Sequence, residues 1–232
     1  MEPSLEQLEQ QRLIWRGREA ASPAQVRPSG WAELDQQLGG WPGGGVTSIH
    51  SRAGVGELRL LFPSLQSPER LSVFIAPPYP LNAESLKGAG LDLAKTLILH
   101  PETPKSRLWA AEQSLKSGVC HSVCLWLTQP LQTVQARRLQ LAARAGAASL
   151  FLLTLQGEGR PGTAQNTGLP LDLCLQLTPH SQGLMVAVPR RRHGWPVPPF
   201  LVSMESTWSE LTSPTVQLAA NTPAHWRTAE GL

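Results

Sequence analysis

Apolar runs and polar breaks alternate with a steady rhythm from Ser29 onward. A glycine-rich turn, residues 39–45, feeds a short apolar run, Val46–His50. The loop Ser51–Gly56 follows, then a helical spacing of Leu58, Leu60, Leu61 and Leu65. The same reading predicts strands at Leu71–Ala76, Thr96–Leu99, Ser122–Leu127 and Ala148–Leu155. Between them it predicts helices at Leu81–Gly90, Pro104–Ser117 and Leu131–Ala145, with Gly90, Gly118 and Gly146 as stops. Strands that alternate with helices of about 10–15 residues build a parallel sheet through right-handed crossovers. The period then changes to two: Leu171, Leu173, Leu175 and Leu177 share one face. His180–Gly183 is a turn and Leu184–Val188 the return strand, so a β-hairpin is expected beside the sheet. The expected organisation is a polar helix and linker over 1–25, an α/β core over 26–203, and a flexible tail over 204–232 without sustained period.

Composition narrows the class. Apolar residues are 41% and charged residues 16%, which suits a folded domain rather than a charged coil. No apolar run approaches the roughly 20 residues of a membrane span. The start shows no basic patch followed by an apolar stretch, so no secretory leader is read. Cys120, Cys124 and Cys174 form no C-x-x-C pair and read as small buried residues in a reducing, cytoplasmic setting. The six histidines have no metal-like spacing, and His50, at a strand end, reads as a structural residue. No metal or cofactor is expected.

Charge is uneven. Residues 1–136 carry 12 basic and 12 acidic groups, whereas 137–192 carry seven basic and two acidic. Arg137, Arg138 and Arg144 are candidate DNA contacts, expected to be auxiliary because no aromatic residues interleave with them. Tryptophan is frequent, with 8 Trp against 4 Phe and 1 Tyr. Arg and Trp are enriched at interface hot spots, so Arg190, Arg191, Arg192, Trp195, Trp208 and Trp226 form the candidate partner-binding set.

Strand, glycine-bearing loop and helix make the frame of a phosphate site, because a helix N-terminus offers free N–H groups and partial positive charge. A working loop reads G-x-x-x-x-G-K-[ST]. Here Ser51 replaces the first glycine, Arg52 and Gly54 lie between, Gly56 keeps the second, and Glu57 and Leu58 replace the lysine and the hydroxyl. A carboxylate near a triphosphate repels it by about 1 kcal/mol per charge pair in water, and leucine cannot hold magnesium. Arg52 is the one cation the loop offers. Gln113–Gly157 contains no Asp or Glu, so Trp126 stands near the place of a magnesium-supporting acid. Three parts of an ATPase site are changed, and the chain reads as a pseudo-ATPase rather than an enzyme.

Residues 26–35 followed by Gly39-Gly40-Trp41-Pro42-Gly43-Gly44 resemble the opening segment of the RecA recombinase core, and the likeness runs to about residue 190. Trp15-Arg16-Gly17, Gly54–Leu61, Ala76-Pro77-Pro78, Leu108–Gln113 and Arg137–Ala143 resemble the ImuA family, described as translesion-synthesis-associated or SulA-like. The resemblance implies a RecA-like core with a degenerate phosphate loop. It implies a non-catalytic adaptor in SOS-induced translesion synthesis and mutagenesis. Its implied partners are the RecA recombinase, an ImuB-like Y-family polymerase subunit and an error-prone replicative-type polymerase. The alternative is a SulA-like cell-division inhibitor that binds FtsZ.

Overall fold

The computed structural model describes residues 26–156, 169, 171–192, 197–205 and 207. Two short strands, β1 (Val26–Arg27) and β2 (Trp41–Pro42), pair antiparallel around helix α1 (Ala32–Leu38). The main sheet contains β3 (Val46–Arg52), β4 (Leu71–Ile75), β5 (Thr96–Leu99), β6 (Cys120–Trp126) and β7 (Ser149–Gln156). It continues through β8 (Leu173–His180), β9 (Gly183–Arg191) and β10 (Val197–Ser203). The order across the sheet is β10-β9-β8-β3-β7-β6-β4-β5. All pairings from β8 through β3 to β5 are parallel, and β8–β9 and β9–β10 are antiparallel. This mixed α/β sheet meets the expectation of a mostly parallel core with a C-terminal antiparallel addition.

Helices α2 (Glu57–Leu65), α3 (Ala83–Gly88), α4 (Pro104–Lys116) and α5 (Thr133–Ala145) make the crossovers. One sheet face packs Ile49, Phe74, Cys124, Phe151 and Leu153 beneath leucines of α1, α2 and α3. The other packs Val46, Val73, Val123, Leu125 and Leu150 beneath α4 and α5. Both faces are therefore dry, which is why these strands read as continuous apolar runs. The small residues Ala110, Ala111, Ala136, Ala142 and Ala143 let α4 and α5 lie close to the sheet. Gly146 permits a still closer approach: a Cβ there would stand 1.7 Å from the carbonyl oxygen of Leu115.

The antiparallel addition has three strands rather than the expected two. β10 carries Pro198 and Pro199, whose missing N–H groups argue against a strand in the sequence. It is the outermost strand among the described residues, where those donors have no ladder to serve, and its register shifts between Val197 and Phe200. The Ser203 N–H donates to the Glu33 carboxylate at 3.1 Å, tying β10 to α1. Gly183 at the turn is required by packing, since a Cβ would meet the Val202 carbonyl oxygen at 2.2 Å. Met204 is buried and its N–H donates to the Gln182 carbonyl at 2.9 Å, so packing reaches one residue past the expected core boundary. The expected N-terminal helix over 1–25, and nearly all of the expected tail, lie outside the described residues.

Among the described residues, no helix is long and apolar enough to cross a membrane. The three cysteines are buried and unpaired with one another, as read from the sequence.

Candidate functional site

The loop between β3 and α2 occupies the place expected of a phosphate cradle. β3 lies between β7 and β8 near the middle of the sheet and delivers its C-terminal end, Ser51–Arg52, to the loop. Gly56 caps α2 with φ +104°, a left-handed conformation that a side chain would strain. Arg52 and Gly54 are exposed, Leu58 is half-buried against the core, and Ser51 is buried.

Glu57 turns inward. It is only 9% exposed and forms the first residue of α2. An acid side chain thus stands in the first helical turn, where the free N–H groups and the partial positive charge lie. Glu57 Oε2 and Ser51 Oγ are both buried without a hydrogen-bond partner among the described residues. Trp126, at the end of β6, is buried and its ring lies 6.3 Å from that of Phe74. It therefore belongs to the apolar face beneath α2, and its Nε1 also has no partner among the described residues.

His50 is buried within β3 and shares a 3.0 Å hydrogen bond with the Ser48 hydroxyl. Burial lowers its pKa and favours the neutral ring. That geometry fits the structural reading. No group of three or more His, Cys, Asp or Glu able to hold a metal occurs among the described residues.

The basic strip is dispersed by pairing. Arg138 on α5 meets Glu112 of α4 at 2.6 Å, and Lys116 meets the same carboxylate at 2.6 Å. These hold Glu112 below the usual carboxylate range, led by the Lys116 hydrogen bond and opposed by burial. Arg144 and Arg192 converge on Asp172, at 3.8 and 3.2 Å. The other oxygen of Asp172 accepts from the Val46 N–H at 3.0 Å and from Gln140 Nε2 at 3.2 Å. Arg190 donates to the Leu169 carbonyl, and Arg191 to the Gln37 carbonyl at 3.3 Å. Arg137 is exposed on α5.

The three consecutive arginines thus reach three separate partners. Trp195, Trp208 and Trp226 lie outside the described residues. Asp172 is the residue that sequence reading passed over. Its signal was its place as one of two acids in a basic stretch, immediately before the period-two run.

The family model described as "Cell division inhibitor SulA" matches residues 50–150, from β3 into β7. The cell division inhibitor SulA of Cronobacter turicensis is 30% identical over 113 residues, 47% of this chain and 67% of that protein. The protein RecA of Clavibacter michiganensis subsp. michiganensis is 28% identical over 107 residues, 44% of this chain and 30% of that protein. The crystal structure of SulA from Pseudomonas aeruginosa shares 32% identity and covers 47% of this chain and 98% of its own, with a TM-score of 0.40.

Proposed function

The chain belongs to the SulA family, and from that premise we propose that it acts as a non-catalytic inhibitor of cell division that binds FtsZ. The observation that carries this reading is the family match over residues 50–150, which takes in the altered loop and four of the crossover helices. The inward Glu57 and the leucine that follows it support a role through surfaces rather than through nucleotide hydrolysis. The test is controlled expression in a bacterial host, together with FtsZ polymerisation followed by light scattering. Filamentous cells and suppressed polymerisation are expected. Normal division with unaltered polymerisation overturns the reading.

A second reading keeps the ImuA likeness: an adaptor of SOS-induced translesion synthesis that contacts the RecA recombinase, an ImuB-like subunit and an error-prone polymerase. The observation that favours it is the three-stranded addition β8–β10, which lies outside the matched region, together with the similarity to RecA. A tagged pull-down from DNA-damaged cells separates the two, by recovery of recombinase and polymerase subunits or of FtsZ. Truncation to probe the tail belongs after Glu205, beyond the last residue of β10, so that the sheet is kept whole.

A further inference from the structure

Helix α4 begins after the C-terminal end of β5 and α5 after that of β6, and a cavity of about 560 Å³ lined by the first turns of both opens between them. We propose that this cavity is a docking site for an acidic peptide segment of a partner protein, anchored by one large apolar side chain. The inference stands on the cavity and does not depend on which partner the preceding section assigns.

Size and lining come first. The volume falls in the range of roughly 300–1,000 Å³ over which pockets enclose a ligand group. Leu108, Leu127, Leu131 and Leu139 contribute apolar wall. Trp109 stands at the same cavity yet is 63% exposed, although it is the bulkiest side chain on α4. A large indole left open beside an apolar recess is the arrangement that interface hot spots use.

Charge then selects the occupant. Lys105, Arg107 and Arg138 line the cavity against a single acid, Glu112. Glu112 is already held by Arg138 and Lys116, both at 2.6 Å, so its charge is matched within the chain. Arg107 is fixed in place by donating from Nε to the Pro101 carbonyl at 3.1 Å and from Nη1 to the Thr128 hydroxyl at 3.4 Å. Two of its five N–H donors are thereby used, and the rest remain for a carboxylate. Neither helix has an acid in its first turn, so nothing there offsets the cations. A single exposed tryptophan and cations gathered at one mouth fit a short acidic peptide better than a nucleic-acid strand, which needs a tracked groove and successive stacking platforms.

The test pans a displayed library of random dodecapeptides over the folded full chain, with counter-selection on the Gln135→Trp variant, which fills the mouth. Enriched sequences are expected to carry acids beside one Phe, Leu or Trp. A fluorescein-labelled enriched peptide is expected to bind about tenfold more weakly to the Arg107→Gln/Arg138→Gln variant and severalfold more weakly to Trp109→Ser. Trp109 is exposed, so that second variant keeps the test valid should the filled mouth disturb folding. Raising salt should weaken the binding. The proposal is overturned if no enrichment depends on the cavity, if basic or uncharged sequences win, if the variants bind equally, or if an oligothymidylate displaces the peptide at lower concentration than the unlabelled peptide does.

Discussion

Leu150, Phe151, Leu152 and Leu153 follow one another along β7 and all four are buried, whereas on β9 buried Leu184, Val186 and Val188 alternate with half-buried Met185 and Ala187. The two strands belong to one sheet, but the first is covered on both faces and the second chiefly on one. The parallel half draws its stability from two dry faces. The antiparallel addition relies on one apolar face and on ties at its margins, such as Arg192 to Asp172 and Ser203 to Glu33. The parallel half should therefore unfold as the last unit and the addition should open first.

The strongest way to break that comparison is Phe151→Ala. Phe151 is 1% exposed and meets Trp41 edge-on at 5.3 Å, and its truncation should cost about 3–5 kcal/mol in urea unfolding. Val202→Ala, at an equally buried position of β10, should cost only about 2 kcal/mol. Equal losses would mean that the addition is as deeply integrated as the parallel core. Gly183→Ala sharpens the point. Hydrogen exchange should accelerate along β9 and β10 while β3, β6 and β7 stay protected, and uniform acceleration would contradict two units of different stability.

A smaller effect follows from pH. Burial lowers the pKa of both His50 and His121, with Arg27 adding to the second. Their unfolded forms take up protons near the ordinary histidine value of 6.5 while the folded forms resist, so stability should fall as pH drops below that value. Glu112 is also held below its ordinary range, chiefly by the Lys116 hydrogen bond, and the stability this contributes should be lost at still lower pH, as the medium falls through the carboxylate range. His50→Asn should flatten the upper part of the profile in thermal melts between about pH 8 and pH 5. An unchanged slope would remove His50 from the account. The weakest expected change is Arg191→Gln, which removes a long 3.3 Å hydrogen bond from a half-buried side chain to the Gln37 carbonyl, within about 0.5 kcal/mol.

Legibility in the sequence follows the same division. Thr96–Leu99 coincides with β5, and the other parallel strands and crossover helices lie within a residue or two of the expected bounds, because burial on both faces writes long apolar runs. β10 was hidden by Pro198 and Pro199, which are tolerated because β10 is outermost among the described residues, a fact of topology rather than of pattern. At the loop, the identities of Glu57 and Leu58 were legible, but the inward turn of Glu57 was not, since it depends on packing around α2. The arginines were visible as a charge surplus. Their dispersal onto Asp172, Glu112 and backbone carbonyls depends on contacts between residues 20 or more positions apart.

The prolines of β10 have a consequence beyond hiding the strand. An outermost strand is normally an open template onto which another molecule's strand can add, and from there an aggregate can grow. Pro198 and Pro199 leave that margin short of donors, and the shift in register beside them bends it out of line. The opposite margin, β5, is only four residues long. Growth by strand addition is thus discouraged at both ends of the sheet.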